Sequence, residues 1–148
     1  MLVCYFSIKK LWHAFCLNVH IEKIIMLQNE SILVLGASTN PNRSSYLAAK
    51  FLYNKGFSLL AVASKKGKID ELEIVDETES SASSVDTVTI YLNAERQKKY
   101  YDYILSLHPK RIIFNPGTEN PEFELLARKN QINIVTGCTI AMLTAGVL

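Results

Sequence analysis

The chain has 148 residues, of which 49% are hydrophobic and 20% are charged. These values are typical of a globular protein that can bury the core of one domain. The formal net charge of +2 lies in residues 1–25, so the remainder is neutral. A neutral domain lacks the broad basic face that non-specific nucleic-acid binding needs, and we expect no nucleic-acid partner.

The cysteine count and the apolar runs indicate the compartment. Three cysteines without regular spacing do not form a disulfide framework. A reducing cytoplasm is the simpler interpretation. No run approaches the roughly 20 apolar residues that cross a bilayer, so we expect no membrane partner.

Residues 1–25 differ in pattern from the rest of the chain. No small-residue cleavage site follows their basic residues, so a secretory signal is not expected. Met26 begins a segment that leads directly into the first predicted strand. We therefore expect a natural start at Met26 and a single domain over 26–148; the alternative is an amphipathic helix outside the domain. A metal site is not expected in this segment. The spacings of its possible ligands, Cys4, His13, Cys16 and His20, match no common zinc pattern.

The first predicted elements are a strand, a helix and a second strand. Ser31–Leu35 is a continuous apolar run, typical of a strand buried on both faces. Ser44 or Ser45 can cap a helix that reaches Lys55, and Gly56 stands where a helix-ending glycine belongs. The apolar face of this helix contains Leu47, Ala48, Phe51 and Leu52. The second strand covers Phe57–Ala63.

The rest of the chain continues this alternation. Further strands are predicted at Thr87–Leu92, Arg111–Phe114 and Ile132–Thr136, with a short one near Leu72–Val75. Helices are predicted over Ala94–Leu107, after an Asn120 cap followed by Pro121, and over Thr139–Ala145. The alternation predicts an α/β, Rossmann-like, doubly wound fold. Its mostly parallel five-stranded sheet would carry helices on both faces and bind ligands at the carboxyl ends of the strands.

Polar and basic residues follow the first strand. This loop holds one glycine and is not a G-x-G-x-x-G motif. A glycine turn before a helix N-terminus points backbone N–H groups at one spot, which suits a phosphate. The alternative is an ordinary strand-to-helix turn. The candidate binding residues here are Gly36, Ala37, Ser38, Asn40, Arg43 and Ser44.

A basic turn follows the second strand, with Lys65, Lys66 and Lys68 within four residues; its candidate binding residues are Ser64, Lys65 and Lys66. NAD sites usually carry an acid at this point to bind the ribose hydroxyls. Cations instead form charge-assisted bonds to a phosphorylated ribose, which favours NADP or coenzyme A. The alternative is a solvated basic turn that nearby acids balance, namely Asp70, Glu71 and Glu73.

The later strand ends add further candidates. Tyr91 and Asn93 follow the third main strand, and Asn115, Pro116 and Gly117 follow the fourth. Gly117 permits a positive φ or close approach to a ligand, and Asn115 offers an amide. Cys138 opens the last helix, where a thiol can be reactive, although a small buried cysteine is commoner. No Ser–His–Asp or His–Cys arrangement is apparent, so no catalytic residue is predicted and we favour a non-enzyme.

Taken in order, these segments resemble a known family. The resemblance rests on Val34–Ser38 with Asn40, Pro41 and Arg43, on Val85–Val88, on Asn115–Gly117 and on Cys138. Residues 31–145 are similar to the small single-domain CoA-binding proteins, whose fold is that of the CoA-binding domain in the succinyl-CoA synthetase α subunit. Many members carry Val-Asn-Pro after the second strand, whereas this chain has Val62–Lys66.

The resemblance implies that coenzyme A binds across the centre of the sheet. The Gly36–Ser44 loop would hold the pyrophosphate, and Lys65 or Lys66 would meet the phosphorylated ribose. The path of the adenine or the pantetheine arm would be lined by Tyr91, Asn93, Asn115 and Gly117. Synthetase activity is not implied, because the chain has no room for the phosphohistidine loop or the ATP-grasp partner.

The leading hypothesis is a non-catalytic or regulatory module that binds coenzyme A or an acyl-CoA. One alternative is an NADP-binding oxidoreductase or a subunit of one, although a single nucleotide-binding fold occupies the whole domain. Another is a redox protein that forms a mixed disulfide between Cys138 and CoA. A subunit that borrows catalytic residues from a partner, and a homodimer, are also left open.

Overall fold

The computed structural model describes residues 30–77, 79–80, 82 and 84–148. The predictions for residues 1–25 and for a start at Met26 lie outside this part of the chain. The described strands are β1 (Ser31–Leu35), β2 (Ser58–Val62), β3 (Gly67–Ile69), β4 (Leu72–Val75), β5 (Thr87–Ile90), β6 (Arg111–Phe114) and β7 (Asn133–Thr136). The described helices are α1 (Ser44–Asn54), α2 (Ala94–Gln97), α3 (Tyr101–Ser106), α4 (Pro121–Lys129) and α5 (Thr139–Ala145). A 3-10 turn, Lys98–Tyr100, joins α2 to α3. None of these helices has the length and apolar character needed to span a membrane.

The strands form one sheet in the order β3-β4-β2-β1-β5-β6-β7. β1 lies at the centre and pairs in parallel with β2 on one side and β5 on the other. β5, β6 and β7 also pair in parallel, as do β2 and β4. The chain thus leaves β1 in one direction and later returns to its other edge, which creates a switch point at the carboxyl ends of β1 and β5. The predicted doubly wound α/β fold is confirmed.

The central strand shows why its sequence is apolar throughout. Leu33 and Leu35 belong to the core on one face, whereas Ile32 and Val34 belong to the core on the other. All are fully buried. Since neighbouring side chains on a strand point to opposite faces, a sheet covered on both sides requires an apolar residue at every position.

Different helices cover the two faces. Ile104 and Leu107, at the end of α3, share one core with Phe123 and Ala127 of α4. Ala49 and Leu52 of α1 belong to the other core, against which Met142 and Leu143 of α5 pack. The carboxyl ends of the strands therefore open between two helical layers.

The sheet has seven strands in the described part of the chain, so the prediction of five was wrong in number. β4 is the short strand expected near Leu72–Val75, and β3 pairs antiparallel with it across a turn at Asp70 and Glu71. Asp70 adopts a φ of 51°. Ile69, Leu72 and Ile74 are buried. Charged residues between them conceal the strand pattern, and the turn lacks the usual glycine.

Helix α1 corrects two predictions. Its N-cap is Arg43, without a side-chain cap bond, rather than Ser44 or Ser45. Leu47 and Phe51, expected on the apolar face, are exposed. The buried residues follow the spacing i, i+3, i+4, i+7 and are mostly small, which lets the helix lie close to the sheet; they are Ser45, Ala48, Ala49 and Leu52.

The segment predicted as one helix over Ala94–Leu107 is divided by the 3-10 turn. The divided segment still buries one continuous face, because Tyr100, Ile104 and Leu107 recur at helical spacing and are all buried. The division follows Gln97, whose side chain turns into the protein interior and bonds to backbone carbonyls. Periodicity detects the apolar face but not an amide that replaces an apolar side chain.

Two helix ends agree with the sequence signals. Gly56 follows the C-cap of α1 with a φ of 84°. Asn120 caps α4 by accepting a hydrogen bond from the N–H of Phe123, and Pro121 occupies the first helical position. A proline fits there because the first N–H of a helix has no partner within the helix.

Candidate functional site

A cleft of about 1520 Å³ lies at the switch point, between the carboxyl ends of the central strands and the N-terminus of α1. It exceeds the usual size of a small-molecule pocket and suits an elongated ligand. The structure brings every predicted site residue to its lining: Gly36, Ala37, Ser38, Asn40, Arg43, Ser44, Ser64, Lys65, Lys66, Tyr91, Asn93, Asn115, Pro116, Gly117 and Cys138.

The turn after β1 requires a glycine for two reasons. Gly36 has a φ of 87°. A Cβ atom there would lie 2.8 Å from Leu92 Cδ2 and 3.2 Å from the carbonyl carbon of Tyr91. The N–H groups of Gly36 and Ala37 both donate to the carbonyl of Val62, at 2.8 and 3.3 Å. These two N–H groups hold the turn against β2, so they are not the phosphate donors that the glycine turn suggested.

The open donors lie further along, at the start of α1. Within the described residues, the backbone N–H groups of Ser44 and Ser45 meet no acceptor. The first turn of α1 holds no acid. Arg43 is exposed at the N-cap and has no acidic partner among those residues. Unpaired N–H groups, the helix dipole and a guanidinium together favour an anion at this position.

Two polar side chains of the loop before α1 form hydrogen bonds within the loop and so stabilise its conformation. Ser38 Oγ accepts a hydrogen bond from the Asn40 N–H at 3.2 Å. Asn40 Oδ1 accepts one from the Asn42 N–H at 3.0 Å. Such bonds two residues along the chain stabilise tight turns. Ser38 and Asn40 line the cleft, but the side-chain oxygens of both residues already accept hydrogen bonds within the loop.

The basic turn after β2 packs directly against this loop. A Cβ atom on Gly67 would overlap the Thr39 methyl group, so a side chain here would require Thr39 or the turn to move. Lys66 forms an ion pair with Glu79, which raises the pKa of Lys66. Lys65 is exposed, and no acid lies within ion-pair distance of it in the described chain.

The acids expected to balance the basic turn do so in part. Glu71 pairs at 3.4 Å with Lys68 of this turn, which does not line the cleft. Asp70 instead pairs with Lys50 of α1 at 3.0 Å. Lys65 thus remains exposed and without an ion pair among the described residues, so the alternative of a solvated basic turn stays open.

Sequence reasoning missed a second cationic wall. Residues of α2 and the 3-10 turn reach the cleft from the side opposite α1, because Gln97 and Tyr100 anchor this segment in the interior. Lys98 pairs with Glu95 at 2.9 Å, and Lys99 pairs with Glu77 at 3.5 Å. A pattern of alternating charges on a predicted helix indicates a solvated face and gives no signal of this placement. The missed lining residues are Thr39, Asn42, Ser45, Ala63, Leu92, Glu95, Arg96, Lys98, Lys99, Tyr100, Thr118 and Ile140.

A buried amide network supports that wall. Gln97 Nε2 donates to the carbonyls of Leu92 and Thr118, at 2.8 and 2.7 Å. Gln97 Oε1 accepts from Asn120 Nδ2 at 2.9 Å. One fully buried side chain thereby joins the segments that follow β5 and β6 to the N-cap of α4. Satisfied buried networks hold such loops in one arrangement.

Asn115 and Gly117 occupy the next strand end. The Asn115 side chain is fully engaged: Nδ2 donates to Thr89 Oγ1 at 2.8 Å and to the Ile90 carbonyl at 3.0 Å, and Oδ1 accepts from the Thr139 N–H at 2.9 Å. It therefore ties β5, β6 and α5 together. Gly117 has a φ of 85°, and open space surrounds the position of an added Cβ atom. This glycine is required for backbone conformation, and not for close approach within the protein.

Tyr91 and Cys138 line the cleft from the carboxyl end of β5 and from the N-cap of α5. The Tyr91 hydroxyl is buried without a hydrogen-bond partner among the described residues, although Thr89 and Thr139 lie near it. Burial raises the pKa of Tyr91 to about 12, so the hydroxyl is neutral at physiological pH. Cys138 is a free, exposed cysteine at the N-cap of α5. The thiol is therefore open to the cleft and is not the small buried residue that was the alternative.

Comparisons with known proteins agree with this architecture. A family model described as a CoA binding domain matches residues 30–144. An uncharacterised protein of known crystal structure is 45% identical, with 81% of this chain and 98% of that chain covered and a TM-score of 0.76.

Two more distant structures share the fold. One is from Thermus thermophilus, at 20% identity, with 86% of this chain and 96% of that chain covered and a TM-score of 0.72. The other is a hypothetical protein from Pyrococcus horikoshii OT3, at 19% identity, with 84% and 89% covered and a TM-score of 0.73. The resemblance to small CoA-binding proteins is confirmed, and the chain belongs to the CoA binding domain family.

Proposed function

We propose that the chain binds coenzyme A or an acyl-CoA in this cleft and acts as a non-catalytic, regulatory module. Membership of the CoA binding domain family supports the ligand. One observation carries the proposal: the N–H groups at the start of α1 and the Lys65 ammonium, which have no partner among the described residues, line a single cleft. Coenzyme A presents a pyrophosphate and a separate ribose phosphate, which match two such anion sites.

In this arrangement the start of α1 binds the pyrophosphate. The N–H groups of Ser44 and Ser45 donate to its oxygens, and Arg43 adds a charge-assisted bond. Lys65 meets the ribose phosphate from the neighbouring strand end. The turn that carries Lys65 packs against the loop before α1, where Gly67 approaches Thr39 closely.

The pantetheine arm then extends toward the other half of the sheet. Tyr91, Asn93 and Gly117 line this direction, and Cys138 lies at its end. The half-buried Tyr91 ring supplies apolar surface beside an otherwise polar wall. An acyl group carried on the thiol would therefore lie near Cys138, where its size and chemistry can be sensed.

The non-catalytic part of the proposal rests on the acids and bases of the cleft. Among the described lining residues, Glu95 is the sole carboxylate, and it is paired with Lys98. No histidine lines the cleft in that part of the chain. General acid–base catalysis needs a group that can accept a proton near neutral pH, and a carboxylate engaged with a lysine is a poor one.

Calorimetric titration with coenzyme A, dephospho-CoA and NADP tests the proposal. We expect micromolar binding of coenzyme A, about −8 kcal/mol, and no measurable binding of NADP. K65Q should weaken coenzyme A about tenfold and leave dephospho-CoA within about twofold, because only the former carries the ribose phosphate. Lys129→Gln, on the exposed last turn of α4, is the matched control. NADP binding without CoA binding would favour the oxidoreductase alternative.

A second candidate function is favoured by the exposure of Cys138 in the same cleft. In it, the Cys138 thiolate attacks one sulfur of an oxidised CoA disulfide. The disulfide bond breaks, a protein–CoA disulfide forms, and one CoA thiolate leaves, so the exchange needs no further oxidant. Intact-protein mass spectrometry after incubation with CoA disulfide should show one added CoA that dithiothreitol removes. No addition, or equal addition to C138S, would contradict this function.

A further inference from the structure

The basic residues of the cleft fall into two groups. Three of them face acids in the described chain: Lys66 pairs with Glu79, Lys98 with Glu95, and Lys99 with Glu77. The others have no ion pair with any described residue, and they are Arg43, Lys65 and Arg96. Arg43 and Lys65 already have phosphate roles in the proposed function. Arg96 has none.

Arg96 stands on a segment that is held firmly at its base. Its backbone N–H donates to Asn93 Oδ1 at 3.1 Å, which caps α2. The next residue, Gln97, is fully buried and bonded to two strand-end loops. The guanidinium is therefore carried on a fixed backbone while its own side chain is exposed. Fixing the backbone before binding lowers the entropy that a ligand contact must overcome.

The neighbouring charges make the lack of a partner at Arg96 informative. Glu95 precedes it directly but bonds to Lys98 at 2.9 Å. Lys99 reaches Glu77 and also lies 4.3 Å from the centre of the Tyr100 ring. Within the described part of the chain, Glu95 and Glu77 are thus paired with lysines, and Arg96 has no ion pair.

We propose that Arg96 binds a phosphate group of the ligand from the wall opposite α1. This rests on the proposed function and adds a residue to it. A guanidinium forms two parallel hydrogen bonds to a phosphate, which a lysine cannot do. With Arg43 and Lys65, it surrounds the cleft with cations from the segments that follow β1, β2 and β5. The ligand is then selected for phosphate groups that face both walls.

The test compares R96Q with R128Q, which removes the same charge from the exposed end of α4 outside the cleft. Coenzyme A is titrated calorimetrically into each variant at several KCl concentrations, and each melting temperature is measured. We expect R96Q to bind about tenfold more weakly, with a shallower dependence of affinity on salt. R128Q should stay within about twofold of wild type. R96K should recover part of the loss, because it restores the charge without the paired donors.

The outcomes separate the two proposals. Binding by the wild type with equal affinities of R96Q and R128Q would overturn the role of Arg96 alone. Absence of CoA binding by the wild type would overturn both. A weaker R96Q with an unchanged melting temperature supports the proposal, since a purely structural role would lower the melting temperature as well.

Discussion

The two walls of the cleft bind charge by different means. On the α1 wall, donors stand without partners: the N–H groups of Ser44 and Ser45 and the guanidinium of Arg43. On the α2 wall, Lys98 and Lys99 are paired with Glu95 and Glu77, and among the described residues Arg96 alone of its cations has no ion pair. Backbone donors are fixed in direction and cost little to reorganise, whereas surface ion pairs exchange readily and are weakened by salt. In the proposed complex, we therefore expect the first wall to fix where an anion binds, and the paired lysines of the second wall to adjust how strongly it is held.

The largest effect is expected from a substitution at Gly36, in the turn between β1 and the α1 wall. G36A forces a side chain into a φ of 87° and against Leu92 and the Tyr91 backbone. We expect a loss of about 3 kcal/mol in unfolding free energy and no detectable CoA binding. G117A is the matched control, since it shares the positive φ without a close contact and should cost about 1 kcal/mol. Urea unfolding measures both, and equal losses would contradict a steric requirement at residue 36.

A somewhat smaller effect should loosen the α2 wall. Gln97→Met keeps the volume but leaves the carbonyls of Leu92 and Thr118 and the amide of Asn120 short of partners. We expect unfolding free energy to fall by about 2 kcal/mol. Weaker CoA binding should accompany it, because the network positions Arg96. Y101F, which removes a single hydroxyl bonded to Asn120, should change either quantity much less.

Acid should weaken the sheet at the end away from the cleft. The hydrogen bond from Lys110 and those from Ser31 lower the pKa of Asp86 to about 2. Since the folded-state pKa lies below the unfolded value, this contribution is complete above about pH 4 and is lost as the pH falls toward 2. With partial exposure taken into account, it is worth about 1 to 2 kcal/mol at neutral pH. The D86N variant should have a lower unfolding free energy than wild type at pH 7, and that free energy should change less between pH 4 and pH 2. Its affinity for CoA at pH 7 should be unchanged.

The smallest effect is expected from releasing cleft lysines from their surface ion pairs, which tests the contrast with the backbone donors of α1. E77Q with E79Q releases Lys99 and Lys66 from their ion pairs. We expect CoA affinity to rise about threefold in low salt and the gain to vanish in high salt. E71Q releases Lys68, which is not a lining residue, and should change nothing. A gain that persists in high salt would indicate a change of loop structure and not of charge.

The sequence predicts the site better than it predicts the surroundings of each residue. Strand ends in a doubly wound sheet converge, so Gly36, Lys65, Asn115 and Cys138 could be grouped from their positions alone. Hydrogen-bond partners could not be predicted in this way. The Gly36 N–H donates to the Val62 carbonyl, and the Asn115 side chain bonds to Thr89 and to the Thr139 N–H. These hydrogen bonds depend on packing between segments that are far apart in the chain.

The missed features share one physical cause. A hydrophobic pattern reports burial of apolar side chains, so it misses elements that polar groups anchor. The buried Gln97 divides a helix that periodicity predicts as continuous, and Arg96 reaches the cleft as a result. The small residues that bury α1 against the sheet likewise carry little apolar signal, whereas exposed Leu47 and Phe51 carry a strong one.

The close approach of Gly67 to Thr39 has a consequence for ligand choice. A side chain at residue 67 would overlap the Thr39 methyl group, so it would press the turn that carries Lys65 away from the loop before α1 or displace Thr39. In the proposed complex, a ligand that binds at both places must span the distance between them. We therefore expect a larger residue at position 67 to change which spacing of anionic groups binds best, without any change in the charge of the cleft.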